Sequence, residues 1–119
     1  MQEDLHTVLS VRLFTDRKCF GPGVAELLRR VDEHHSLRAA AQSMEMAYSK
    51  AWAIVHSAED GLGVRLLVSN TGGKHGGGAA LTDEARQILE AYERVCERLR
   101  ACAAEVLAEE FAFYRRPGE

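Results

Sequence analysis

Two groups of side chains in the middle of the chain have the chemistry to bind phosphate. Ser49 and Lys50 fall in the first turn of a predicted helix, and Lys74 falls in a glycine-rich stretch, residues 72–78. Hydroxyl and ammonium groups donate hydrogen bonds to phosphate oxygens and to base edges, and glycines let backbone N–H groups approach phosphates closely. This pattern indicates binding of a phosphate backbone rather than catalysis.

Two short helices are predicted to position the first group. Ser36 is a natural N-cap for a helix over residues 37–43, and Ala41 is small enough to let another helix cross closely. Residues 44–46 form a turn, and a third helix spans residues 47–61. Its buried side is expected to carry Ala51, Val55, Ala58 and Leu62, which leaves Ser49, Lys50, Ala53, His56 and Ser57 facing outward. Gly61 and Gly63 are expected to end it.

A hairpin is predicted to position the second group. Strands over residues 64–68 and 79–81 flank the loop 69–78, and five glycines within residues 72–78 predict a flexible tip. Two helices that cross at small residues, followed by a basic hairpin, are typical of a winged helix-turn-helix. The fold class is therefore predicted as mainly α with a small β-sheet.

The remaining elements frame this unit. We predict a strand over residues 7–14 and an amphipathic helix over residues 22–34, with Pro22 in its first turn. Thr82 is expected to cap a last helix that continues to residue 114, about 50 Å in length. One small domain cannot cover a helix of that length, so packing against a second copy is expected. The apolar heptad of this helix comprises Ala85, Ile88, Tyr92, Val95, Leu99, Cys102 and Val106.

Composition indicates one structural unit without a linker. We assign residues 1–81 to a DNA-binding domain and residues 82–119 to a dimerisation helix. The net charge is −3, which is unusual for a protein that binds nucleic acid. Residues 36–81 nevertheless have four basic and three acidic side chains, whereas residues 82–119 have six and nine. This balance predicts modest affinity for each chain and a strong salt dependence, which favours a dimer.

Several function classes are disfavoured. The start of the chain does not resemble a signal peptide, and no apolar stretch approaches the roughly 20 residues of a membrane span, so a cytoplasmic location with no membrane contact is expected. Cys19, Cys96 and Cys102 are interpreted as free thiols. The loop lacks the Lys-Ser/Thr ending of a P-loop, and no metal-ligand spacing is present. We therefore expect no enzyme activity, no metal and no cofactor.

The chain resembles the N-terminal DNA-binding domains of the ModE family of molybdate-responsive transcription regulators, from about residue 8 to residue 114. The resemblance lies in Phe20-Gly21-Pro22-Gly23, Ser36-Leu37 with Ala39-Ala40-Ala41, Tyr48-Ser49-Lys50-Ala51-Trp52, and the Gly72–Gly78 loop that leads to Leu81-Thr82. It implies a winged helix related to those of LysR-type regulators. It also implies a homodimer that forms through the first strand and the last helix, with DNA contacts from residues 47–53 and the loop. Full-length members have molybdate-binding domains after this helix, and nothing in residues 1–119 is assigned to molybdate.

Three positions depart from the family pattern. Glu45 stands where the turn between helices often has glycine, at a cost of about 1 kcal/mol if its φ is positive. Ala47 replaces a Ser or Thr cap worth about 1 kcal/mol. His75 interrupts the glycine run and is expected to add a proton-dependent contact.

The function predicted from these features is a transcription regulator that binds a roughly palindromic double-stranded DNA operator as a homodimer. The alternative is a winged-helix protein–protein module that does not bind DNA. Two interpretations stay open for Arg38, a phosphate contact or a solvated side chain, and two for Tyr48, a phosphate contact or packing in the core. Trp52 is interpreted as a packing residue that sets the helix angle. The predicted DNA-binding residues are Arg38, Tyr48, Ser49, Lys50, Ala53, Gly73, Lys74, His75, Gly76 and Gly77. The predicted dimerisation residues are Val11, Leu13, Ile88, Tyr92, Val95, Leu99 and Val106.

Overall fold

The computed structural model describes residues 4–70 and 78–118, and this part of the chain forms four helices and two small antiparallel sheets. The predicted winged helix-turn-helix is confirmed, including a long last helix. In chain order the elements are β1 (Leu13–Phe14), β2 (Lys18–Phe20), α1 (Pro22–His34), α2 (Leu37–Ser43), α3 (Tyr48–Leu62), β3 (Leu67–Asn70), β4 (Gly78–Leu81) and α4 (Asp83–Glu110).

The first three helices form the centre of the fold. The predicted limits of α1 and α2 are confirmed, and the Ser36 Oγ accepts a hydrogen bond from the Ala39 N–H at 3.1 Å, as expected of an N-cap. Ala41 is 1% exposed, so its small side chain permits the close helix packing that was predicted. The largest fully buried side chains are Phe20, Leu27, Leu28, Leu66, Val31 and Val55.

The N-terminal strand is much shorter than predicted. Of residues 7–14, only Leu13 and Phe14 lie in a strand, where they pair with β2. A strand requires a partner for its backbone hydrogen bonds, and β2 has three residues. The prediction missed β2 because so short a segment has no measurable period. We call residues 11–20 the N-terminal hairpin.

Gly61 lies within α3 and does not end it. The helix continues to Leu62, and Gly63 follows as the C-cap with a φ of 75°. A Cβ atom at Gly61 would lie 2.4 Å from the Cβ of Cys19 in β2. The glycine therefore permits a close approach between the N-terminal hairpin and α3, whereas Gly63 supplies the left-handed conformation that terminates the helix.

The second sheet, β3 and β4, begins later than predicted. Its register runs from Leu67 opposite Leu81 to Asn70 opposite Gly78, so residues 64–66 are not in the strand and residues 69, 70 and 78 are. Leu66 is fully buried, and its N–H donates to the Glu59 carboxylate at 2.7 Å instead of to a strand. Burial of this residue in the core displaces the start of the ladder.

The long helix α4 joins the core only through its first turns. The Thr82 side chain caps it, as predicted, and its buried residues are Ala85, Leu89 and Tyr92. The helix ends at Glu110 rather than at residue 114, because the chain turns there and the Phe111 ring packs against the Phe113 and Tyr114 rings. Within the described residues no helix has the length and apolar character of a membrane span.

Ion pairs between α1 and α4 fix the direction in which the long helix leaves the core. Arg29 Nε donates to Glu93 at 2.6 Å, and Arg86 Nη2 donates to Asp32 at 2.7 Å. The hydrogen bond from Arg86 lowers the pKa of the Asp32 carboxyl below its ordinary value. The three cysteines are free, as predicted.

Candidate nucleic-acid interface

The outer face of α3 is the centre of the candidate site. Its buried residues, Ala51, Val55 and Ala58, recur every three or four positions and pack against the core. Ser49, Lys50 and Ala53 therefore lie on the exposed side, as the sequence predicted. The helix presents its polar first turn to solvent while its apolar side fixes its orientation.

The turn between α2 and α3 is built from strained and uncapped backbone. Glu45 has a φ of 55°, so the predicted positive φ is confirmed. Ala47 is the N-cap of α3, and no side chain caps the helix there, also as predicted. This turn has neither a glycine nor a side-chain cap. Backbone hydrogen bonds from the Met44 and Met46 N–H groups to the Ala41 carbonyl, at 3.0 and 2.9 Å, stabilise it instead.

Arg38 and Tyr48 contact each other at the start of the two helices. The Arg38 guanidinium carbon lies 4.3 Å from the centre of the Tyr48 ring, and both side chains are exposed. This cation–π contact positions the arginine beside the first turn of α3. Tyr48 therefore lies outside the core, and the core-packing alternative for it is wrong.

Trp52 is also outside the core, contrary to the interpretation that it packs and sets the helix angle. Its side chain is 48% exposed, and its ring stacks on His56 with 3.6 Å between ring centres. Trp52 is three residues from Val55 and one from Ala51, so it lies at the edge of the buried stripe rather than within it. The His56 Nδ1 donates to the Trp52 carbonyl at 2.9 Å, since a carbonyl oxygen can only accept.

The wing consists of β3, β4 and the segment between them. It is anchored at both ends: the Ala79 N–H donates to the His35 carbonyl at 3.0 Å, and the Thr82 Oγ1 donates to the Arg65 carbonyl at 2.7 Å. This anchoring places the base of the wing beside α2 and α3. Five predicted contact residues, Gly73, Lys74, His75, Gly76 and Gly77, lie outside the described residues.

The acidic residues of α3 are engaged within the protein. Glu59 accepts hydrogen bonds from the Leu66 and Leu67 N–H groups at 2.7 and 3.4 Å, and its side chain is 13% exposed. Asp60 lies 4.0 Å from Arg17 of the N-terminal hairpin. Glu59 therefore stabilises the start of the wing, whereas Asp60 stays 73% exposed at the C-terminal end of α3.

Sequence reasoning left some residues of this region out of the site. Arg65 and His56 line the groove between α3 and the wing together with Arg38 and Trp52. Arg65 is absent from the predicted contacts because nothing in its spacing relates it to α3. His56 was predicted to face outward. It lies seven residues, about two helical turns, after Ser49 and so shares its face of α3, and this spacing could have added it to the predicted contacts.

The predicted dimerisation residues have different surroundings. Tyr92 is 4% exposed and donates to the Val11 carbonyl at 2.7 Å, so it belongs to the core of the single chain. Val11, Leu13 and Ile88 are half-buried against that core. Farther along α4, Val95, Leu99 and Val106 form a stripe of apolar side chains that are 42%, 44% and 50% exposed.

The sequence of this chain is similar to those of known regulatory proteins. Residues 24–86 match the family model described as "Bacterial regulatory helix-turn-helix protein, lysR family". The transcriptional regulator ModE of Haemophilus influenzae is 34% identical over 89 residues, which are 75% of this chain and 34% of that protein. The chain thus spans about a third of the length of that relative. The crystal structure of the CbnR DNA-binding domain in complex with DNA aligns with a TM-score of 0.44 and 28% identity, over 68% of this chain and 95% of that one.

The matched residues extend from α1 through the wing into α4, and they contain the two helices and the turn that form the exposed face described above. A helix-turn-helix of this kind is a DNA-reading motif. The chain therefore belongs to the lysR family of bacterial regulatory helix-turn-helix proteins, and α2 and α3 form its DNA-binding motif, of the LysR/ModE type.

Proposed function

We propose that this protein regulates transcription by binding a roughly palindromic double-stranded DNA operator as a homodimer. Residues 1–81 read the DNA, with α3 in the major groove and the wing along the adjacent backbone, and residues 82–119 join the two copies. Ser49, Lys50 and Ala53 are the residues that reach base edges or phosphates from α3, and Lys74 is the main phosphate contact of the wing.

The observation that carries the proposal is the exposed first turn of α3. Ser49 and Lys50 project from it, and Arg38 lies beside it against Tyr48. An α-helix fits the major groove, where donors in its first turns reach base edges and phosphates. Around this turn the cations Lys50 and Arg38 are accompanied by an exposed carboxylate, Glu45 of the preceding turn, whereas Glu59 and Asp60 lie near the other end of α3.

The shape of α4 supports the dimer. Beyond Tyr92 its apolar stripe of Val95, Leu99 and Val106 is exposed, although these residues follow the spacing of a helix that packs on another helix. Because about half of each such side chain is already covered in the single chain, burial of the rest is worth about 0.7–1.5 kcal/mol per residue. Two-fold symmetry then presents two copies of α3, which predicts inverted half-sites one or more helical turns apart.

The first test identifies the DNA. The full chain is incubated with a pool of duplexes that have a randomised core, and bound duplexes are recovered and sequenced over several rounds. We expect an enriched motif with two inverted halves. Failure to enrich any motif, together with no binding to duplex DNA at low salt, would contradict the proposal.

The second test asks whether the named lysines touch phosphates. Lys50→Ala and Lys74→Ala are titrated against the recovered duplex over a range of salt concentrations. Each is expected to weaken binding and to reduce the slope of log affinity against log salt by about 1.8, because each substitution removes one phosphate contact from each of the two protomers. Arg100→Gln, at an exposed site on α4, is the matched control for loss of one charge. Unchanged slopes in both lysine variants would rule these contacts out.

A further inference from the structure

A second basic feature lies on the side of α3 that faces away from the wing. Here α3, β2 and the start of α1 enclose a concavity of about 410 Å³. Three cationic side chains line it, Arg12, Lys18 and Lys50, and its lining residues include no carboxylate. We call this feature the basic concavity. Ala53 and Ser57 of α3 form part of its wall, so it is continuous with the exposed face of the candidate interface.

The N-terminal hairpin supplies two of these cations, and it is fixed firmly against α3. Cys19 is 4% exposed and packs where Gly61 leaves room, and the Thr15 Oγ1 donates to the Gly61 carbonyl at 3.1 Å. Lys18 immediately precedes Cys19, so its backbone has a defined position beside α3. A charge on a rigid element is pre-organised for a ligand, which reduces the entropic cost of binding.

The cations of the basic concavity are available to a ligand. Among the described residues, no carboxylate lies within ion-pair distance of Lys18 or Lys50, and Arg12 donates only to the Ser10 hydroxyl, at 2.7 Å. All three side chains are exposed. By contrast, the neighbouring Arg17 faces Asp60 and is absent from the lining. The hairpin thus directs two unpaired cations toward α3.

We propose that the basic concavity binds backbone phosphates of the same DNA duplex whose major groove α3 enters. This inference rests on the proposed function. A major groove has a phosphate strand along each of its two edges, about 12 Å apart, so a helix within it lies between two rows of phosphates. Arg38 and Arg65 lie on the wing side of α3, and the basic concavity lies on the other side. Each strand therefore meets its own group of cations.

This arrangement also adds positive charge beside the weakly basic segment 36–81. Arg12 and Lys18 lie outside that segment in the sequence and beside it in space. Because phosphate contacts supply most of the sequence-independent affinity, the hairpin would increase the affinity of each protomer without reading any base.

The test measures salt-dependent binding of the full chain to the duplex recovered by selection. Arg12→Gln and Lys18→Gln each remove one contact from both protomers, so each is expected to weaken binding roughly thirtyfold in about 0.15 M salt and to lower the log–log slope by about 1.8. Lys18→Arg keeps the charge and is expected to retain the wild-type slope. Arg100→Gln, outside the concavity, is expected to match the wild type, and thermal unfolding checks that each variant is folded.

Ethylation of single phosphates locates the contact. Modification at a few phosphates on one edge of the half-site should block the wild type and have much less effect on Lys18→Gln. The inference is overturned, with the proposed function intact, if Lys50→Ala loses affinity while both hairpin variants bind with the wild-type slope. If the wild-type chain binds no duplex, the proposed function itself fails.

Discussion

At the scale of single residues, the turn before α3 contains a conformational cost that a glycine would remove. Glu45 adopts a φ of 55°, where a side chain is disfavoured by about 1–2 kcal/mol and glycine is not. We expect Glu45→Gly to raise the free energy of unfolding by up to about 1 kcal/mol, since the greater freedom of glycine in the unfolded chain offsets part of the gain. Urea denaturation of both proteins measures this difference.

Gly63 provides the opposite control. It caps α3 with a φ of 75°, and a Cβ there would meet no atom within 4 Å. Gly63→Ala should therefore destabilise the protein by about 1 kcal/mol through conformation alone. If both substitutions shift stability in the same direction, the backbone explanation of Glu45 is wrong.

At the scale of elements, Tyr92 connects α4 to the N-terminal segment. Burial, together with the neighbouring Cys96 side chain, raises the pKa of its phenol to about 12, above the ordinary value near 10, because the charged form is poorly solvated there and lies beside a second acidic group. A raised pKa in the folded state means that stability is fully present below pH 10 and is lost as pH rises toward 12. The loss amounts to about 2–3 kcal/mol.

Tyr92→Phe separates this effect from general alkaline denaturation. It removes the 2.7 Å hydrogen bond to the Val11 carbonyl, which should cost about 1 kcal/mol at neutral pH, and it should flatten the fall in stability between pH 10 and 12. Tyr114→Phe, at a residue that is 39% exposed, is the control. Identical alkaline profiles for the wild type and Tyr92→Phe, from urea denaturation at each pH, would contradict the assignment.

The elements also show what the sequence could predict and why the rest required coordinates. The limits of α1 and α2 and the start of α4 were predictable because Pro22, Ser36 and Thr82 are local signals that act within one turn. The pairing of β1 with β2 depends on contacts formed after the chain folds back. Arg12 and Lys18 were missed for the same reason, since their proximity to α3 is a tertiary property.

At the scale of the whole molecule, the long helix α4 extends away from the compact core, and its outer part has an exposed apolar stripe. The chain measures 61 Å along its longest axis against 33 and 21 Å along the others, and Val95, Leu99 and Val106 lie on the part of α4 beyond the buried Tyr92. If two copies pack along this stripe, a charge placed in it either loses its hydration on burial or keeps the two helices apart. Both outcomes oppose association. We expect Val95→Lys combined with Leu99→Lys to convert a dimer to single chains of 13.2 kDa.

Analytical ultracentrifugation distinguishes these states, and circular dichroism should show that the double variant keeps its helices, because both side chains are exposed in the single chain. Ala101→Lys combined with Ala104→Lys adds the same charge at exposed positions outside the stripe and should leave the dimer intact. Loss of the dimer should also weaken operator binding by at least tenfold, since the second half-site then no longer benefits from the high effective concentration of a tethered copy. A wild-type protein that sediments as a single chain at micromolar concentrations would refute the stripe as a dimer interface and, with it, the expectation of a palindromic operator.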